Sequence, residues 1–283
     1  MSTPLSGPIL CPVDFSDLSA SALRLAMRIG SHCSCPVTAL HAQWFEVPPY
    51  LTAGAAAQIQ VQLRDSLDDA RSALRRFASE TVGGGNPAIR VEEGDPREAI
   101  LRVAVAIGSG LIVMGTHGRG GIARWTLGSV AERVMHDSRI PVLTIRPGHL
   151  AESIARIVCA VNDSEVSRNA LAHAAKLARC LDAKLIVIHV VDGENRRAIP
   201  DLCAWIGQRE RPECEIQEVT RRGHPAEQIL RLIAESDAEL LVIGAGHKMF
   251  LDKSVIGATT NHLVRHAPCA VMTVTEGTAS DAL

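Results

Sequence analysis

The chain contains the same pattern twice, and that repetition limits the folds open to it. Ile9-Leu10-Cys11-Pro12-Val13-Asp14-Phe15-Ser16 aligns with Ile157-Val158-Cys159-Ala160-Val161-Asn162-Asp163-Ser164. Each run leads into a helical pattern, SALRLAMRIG from Ser21 and NALAHAAKLA from Asn169, and then into a strand-like run carrying His41 or His189. EGDPREAILRVA from Glu93 matches RGHPAEQILRLIA from Arg222, LIVMG ending at Gly115 matches LLVIG ending at Gly244, and IPVLTI from Ile140 matches APCAVMTV from Ala267. The copies lie 148 residues apart at the first strand and 129 apart at Gly115, so the second is 19 residues shorter in between. Two units of ordinary domain size follow, expected over residues 1–148 and 152–276, with a linker near Pro147 to Ser153 and a disordered tail over 277–283.

Within each unit short apolar runs alternate with helical patterns, which predicts an α/β fold: two tandem, doubly wound parallel sheets with helices on both faces. In the first unit strands are expected near 9–13, 37–42, 88–92, 111–114 and 141–145, and helices near 17–30, 55–80, 96–107 and 127–137. Pro48-Pro49 marks the start of the long second helix, and Gly83-Gly84-Gly85 its stop.

The chemistry concentrates between Leu111 and Pro147. The run Leu111-Ile112-Val113-Met114 reads as a buried parallel strand ending at Gly115. A loop with Gly118, Gly120 and Gly121 follows, and Gly128-Ser129 opens a helix. Glycine takes positive φ and lets backbone N–H groups approach a phosphate, while a helix N-terminus favours an anion. There is no Gly-Lys-[Ser/Thr] phosphate loop and no G-x-G-x-x-G turn. Gly115-x2-Gly118-x9-Gly128-Ser129 instead resembles the nucleotide-binding signature of the universal stress protein family, G-x2-G-x9-G-[S/T].

That resemblance implies an adenine nucleotide α-hydrolase-like fold for both units and an ATP site in the first. Asp14, with Pro12 and Val13 at the end of the first strand, is implied to lie against adenosine, and Ala42 to meet the adenine through its backbone. Met114 and Gly115, then His117, Gly118 and Arg119, and Gly128, Ser129 and Val130 complete the candidate set; Arg119, the cation adjacent to the motif glycines, reads as a phosphate partner or as an exposed charge. A helix cap competes for Asp14, as do Ser16 and Asp17 for that cap. His41 reads as a strand-end histidine rather than a base, since its twin His189 sits in a unit with a broken motif. Arg124 and Trp125 read as loop surface. The second unit has His247 in place of the second motif glycine, Gly257-Ala258 in place of Gly-Ser, and Asn162 in place of the aspartate. It is therefore expected to bind ATP weakly or not at all.

Composition excludes several classes. A net charge of -2 and 3% aromatic residues point away from nucleic acid, and no apolar run approaches the roughly 20 residues of a membrane span. MSTPLSGPIL lacks the basic and apolar regions of a signal peptide, so a cytoplasmic protein with reduced, mostly buried thiols is expected. His32-Cys33-Ser34-Cys35 has no second ligand cluster and reads as a loop after a helix. No catalytic residues stand out. The expectation is a regulatory, stress-response protein binding ATP, with Mg²⁺ or Mn²⁺ carried on the phosphates. Its halves would form an internal pseudo-dimer through their last strands, and a homodimer is compatible with this. The alternatives are a nucleotide-free interaction or small-ligand module, and a slow ATPase or adenylyl-transfer enzyme.

Overall fold

A computed structural model describes residues 7–44, 53–117, 127–147, 153–192, 199, 201–207, 214–250 and 253–275. In the first half β1 (Ile9–Pro12), α1 (Asp17–Cys33), β2 (Val37–Gln43), α2 (Ala53–Val82), β3 (Ala88–Glu93), α3 (Pro96–Ala106), β4 (Leu111–Gly115), α4 (Ser129–Asp137) and β5 (Val142–Ile145) follow one another. The second half runs through β6 (Arg156–Val161), α5 (Glu165–Leu181), β7 (Lys184–Val191), the short α6 (Leu202–Gly207), β8 (Ile216–Arg222), α7 (Pro225–Ser236) and β9 (Leu240–Ala245). It continues with β10 (His247–Phe250), β11 (Lys253–Ile256), α8 (Ala258–His266) and β12 (Ala270–Thr275).

The ten main strands form one sheet in the order β3-β2-β1-β4-β5-β12-β9-β6-β7-β8. Every pairing within a half is parallel. The β5–β12 pair at the centre is antiparallel, with Val271 opposite Thr144 and Thr273 opposite Val142. The two halves thus point their strand ends in opposite directions. The apolar runs follow from burial on both faces. Ile9, Cys11, Leu111 and Val113 enter the core beneath α1 and α5, while Leu10, Ile112 and Met114 enter the core on the other face. Both cores run through both halves without a break. The outer strands β3 and β8 carry charged residues such as Arg90, Glu92, Glu218 and Arg222, which suits an edge exposed to water.

Two expectations change. The α1 helix continues through His32 and Cys33, the stretch read as a loop, and stops where Ser34 adopts a left-handed cap with φ 54°. The thiols are not all reduced: Cys33 and Cys180 form a disulfide between the ends of α1 and α5, with Cα atoms 5.3 Å apart. Both cysteines sit on core-facing positions where the two helices meet, a proximity that no spacing in the sequence reveals. Cys11, Cys35, Cys159, Cys214 and Cys269 are not disulfide-bonded. Between β9 and α8 the second half has an antiparallel hairpin, with His247 opposite Ile256. Gly118, Arg119, Arg124, Trp125, Pro48-Pro49 and the tail lie outside the described residues. Among the described residues, no helix is long and apolar enough to cross a membrane.

The disulfide closes 147 residues of chain across the seam. Cys180→Ser is expected to lower unfolding stability by about 3 kcal/mol, read as a drop in urea midpoint for oxidised protein. Equal midpoints for the variant and the oxidised parent would show that the cross-link adds no stability.

Candidate functional site

The first half has a cavity of about 460 Å³ outside the carboxyl ends of β1, β2 and β4, the edge where open α/β sheets hold ligands. Ten sequence-derived residues line it together: Pro12, Val13, Asp14, Ala42, Met114, Gly115, His117, Gly128, Ser129 and Val130. The remaining two, Gly118 and Arg119, fall outside the described residues. The wall is largely apolar, with Val13, Leu40, Ile100 and Met114, and its polar groups gather at Asp14, His117 and the start of α4. That division fits a flat apolar ring joined to a charged tail.

Asp14 sits between strand and helix. Its Oδ1 accepts from the backbone N–H of Ser16 at 3.1 Å and from the Ser16 hydroxyl at 2.6 Å. Ser16 is itself the N-cap, accepting from the Ser19 N–H at 3.2 Å. Asp14 therefore holds the cap without being it. Between them Phe15 adopts φ 65°, a left-handed conformation unfavourable for a side chain of this size. Its ring packs 4.5 Å from His41 and edge-on to Phe77 at 5.5 Å, which holds the turn in place. His41 donates through Nδ1 to the Val13 carbonyl at 2.7 Å, tying β2 to the end of β1.

The motif glycines act through space, not through φ. Neither Gly115 nor Gly128 has a left-handed φ; that of Gly128 is −64°. A Cβ on Gly115 would lie 2.9 Å from Cγ of Leu18, so this glycine lets α1 close against β4. A Cβ on Gly128 would lie 2.8 Å from the Thr116 carbonyl, to which the Gly128 N–H donates at 2.7 Å. That contact folds the start of α4 back over the end of β4. No side chain caps α4, and Gly128, Ser129 and Val130 at its start border the cavity. His117 closes the same side. Its Nδ1 pairs with the Thr116 hydroxyl at 2.9 Å, and Nε2 is buried without a hydrogen-bond partner. Burial and the neighbouring Arg146 guanidinium hold it below the ordinary imidazole value.

Sequence reasoning left Ser19, Leu40, Pro96, Ile100, Thr116 and Ala131 out of the lining. Pro96 and Ile100 could have been found, because the helix after β3 must begin on the same strand edge. Phe15 carried no signal beyond its exchange for Asp163 in the other half.

The second half repeats part of this frame, with Ser164 as the N-cap of α5 and His189 tied to Val161, and differs in the rest. Asn162 Oδ1 accepts from the hydroxyls of Ser164 at 2.6 Å and Ser167 at 2.9 Å. His189 is fully buried, donating to the Val161 carbonyl at 3.0 Å and accepting from the Ile199 N–H at 2.9 Å. Trp205 of α6 donates to Asp163 at 3.1 Å and lies under Arg168. Gly244 is retained, and its Cβ would meet Val166 at 2.9 Å. A Cβ on Gly257 would meet nothing within 4 Å.

The universal stress protein family model matches this chain twice, over residues 6–146 and 153–275. Universal stress protein MJ0531 of Methanocaldococcus jannaschii is 32% identical over 49% of this chain and 81% of its own length. Universal stress protein Rv2624c of Mycobacterium tuberculosis is 26% identical over 70% of this chain and 75% of its own. In fold, the chain is similar to the crystal structure of a universal stress protein from Archaeoglobus fulgidus. The TM-score is 0.71 at 20% identity, covering 96% of this chain and 99% of that one.

The close approach of Leu18 makes Gly115 a packing residue first. Gly115→Val is expected to destabilise the fold by about 1–3 kcal/mol through overpacking, and Leu18→Ala in the same chain to recover part of that loss. Denaturant unfolding of the parent and the two variants checks it; a fully stable Gly115→Val would refute the packing role.

Proposed function

Since the chain belongs to the universal stress protein family, we propose that its amino-terminal half binds ATP and that the protein acts as a nucleotide-dependent stress-response regulator. The observation that carries this reading is the cavity in which the ten residues named from sequence meet. Adenine fits the apolar wall of Val13, Leu40, Ala42 and Met114, with the Ala42 backbone facing its edge. The Asp14 carboxylate accepts from a ribose hydroxyl or the adenine amino group. The phosphates run toward Gly128, Ser129 and Val130, where N–H groups, the Ser129 hydroxyl and the helix dipole favour negative charge. Gly118 and Arg119 extend that cradle, and one Mg²⁺ or Mn²⁺ travels on the phosphates.

The same residues argue against fast chemistry. Rapid hydrolysis needs a group that activates water and charge stabilisation in the transition state. Asp14 holds the Ser16 cap and His41 holds Val13, which leaves His117 as the titratable side chain of the lining nearest the phosphate end. ATP is read as a ligand that the protein senses, not as a substrate turned over at about 1–10³ per second.

Mass spectrometry of protein released under denaturing conditions tests the ligand: ATP or AMP should co-purify, and should be lost from a folded Gly118→Val variant. A different metabolite, or the same nucleotide retained by that variant, would overturn the assignment. Single-turnover hydrolysis within the ordinary enzyme range, abolished by His117→Ala, would establish an ATPase instead.

A further inference from the structure

The seam between the halves is chemically lopsided. At the carboxyl end of β5, Arg146 donates through Nη1 to the carbonyl of Ala267, the residue that ends α8, at 3.4 Å. Two positively ionisable side chains of α8 stand one turn apart there, His262 and His266, with ring centroids 4.3 Å apart. On the other side of Arg146 is His117. The Thr116 N–H and hydroxyl both donate to the Ile145 carbonyl, at 2.9 and 3.1 Å, which sets residues 116–117 beside residues 145–146. Glu132 of α4 pairs with Arg265 at 3.0 Å. This group therefore bridges from the cavity of the first half to a helix of the second.

The matching corner at the other end of the seam is different. The internal symmetry places Thr275 where Arg146 stands, and Thr275 donates to the Ser138 carbonyl at 2.8 Å, the counterpart of the Arg146–Ala267 contact. His117 is matched by Gly246, His262 by Arg133, and His266 by Asp137, whose carboxylate is bound by Arg97 and His136. At that corner a carboxylate, Asp137, sits among the cations, whereas the four matched positions 117, 146, 262 and 266 at the corner beside the intact glycine motif are all positively ionisable.

We propose that Arg146 and His117 of the first half, with His262 and His266 of the second, form an anion subsite that takes the terminal phosphates of a nucleoside polyphosphate lodged in the amino-terminal cavity. This rests on the nucleotide reading above and deepens it: the second half, poor in its own motif, completes the site of the first. Positively ionisable groups set close together disfavour one another's protonation, and a polyphosphate favours the protonated forms and gains charge-assisted hydrogen bonds from them. In line with this, burial and the surrounding His262, Arg146 and Arg265 hold His266 below its ordinary value. Protonated beside the phosphates, His117 donates through its buried, unpartnered Nε2 to a phosphate oxygen. The subsite reads chain length: a triphosphate reaches it and a monophosphate does not. Because its members come from both halves, occupancy also presses the seam together.

Calorimetric titration of the full chain with ATP, AMP and inorganic tripolyphosphate tests this. His266→Ala, at an exposed helix end, and Arg146→Gln are each expected to weaken ATP and tripolyphosphate by roughly tenfold, one charge-assisted contact, with AMP unchanged. Arg133→Ala, at the opposite corner, should change none of them. ATP and tripolyphosphate affinities unaltered in both seam variants, or no tripolyphosphate bound by the parent, would overturn the subsite. Failure of AMP to bind the parent while tripolyphosphate binds and responds to the variants would count against the adenosine reading alone and leave the subsite standing.

Discussion

The antiparallel ladder between β5 and β12 is the contact on which the rest of the molecule depends. Each half alone would leave its last strand as an exposed edge, with unpaired N–H and C=O groups and uncovered core on both faces. Joined, the edges disappear into the centre of a ten-stranded sheet, and both hydrophobic cores become continuous. Thr144 and Thr273 add reciprocal bonds across the ladder, to the carbonyls of Val271 and Val142. Because the ladder is antiparallel, the carboxyl ends of the parallel strands in the two halves lie at opposite edges of the sheet.

That arrangement lets the halves diverge. Gly244 persists in the second half because Val166 leaves no room for a Cβ, just as Leu18 leaves none at Gly115. The first glycine of the motif is thus demanded by helix–strand packing, whether or not a nucleotide binds. Gly128 is demanded by the fold-back onto Thr116, whereas its counterpart Gly257 meets nothing. The features that separate the halves lie elsewhere: Asp14 against Asn162, His117 against Gly246, and the β10–β11 hairpin of the second half.

The fold was legible because its signals are local. Four-residue apolar runs, alternating between two buried faces, can only be interior strands, and their order repeats with the same intervening helices. The set of lining residues was legible for the same reason, since strand ends and a helix start must share one edge. What could not be read depends on the approach of distant segments. Cys33 and Cys180 meet only because α1 and α5 pack across the seam. The positive φ of Phe15 is held by His41 and Phe77, neither adjacent in sequence. Glycine at 115 and 128 was assigned to backbone freedom, but excluded volume is its actual reason, which requires knowing where Leu18 and the Thr116 carbonyl sit. The charge at the seam corner arises from residues 117, 146, 262 and 266, far apart in the chain and joined only by the β5–β12 register.

The central claim is that one half holds nucleotide and the other serves it. Equilibrium dialysis of the full chain against labelled ATP measures this directly. One saturable site per chain, removed by Asp14→Ala and retained in Asn162→Ala, is the result the account predicts. Two equal sites per chain, or a single site that survives Asp14→Ala and disappears with Asn162→Ala, would contradict it.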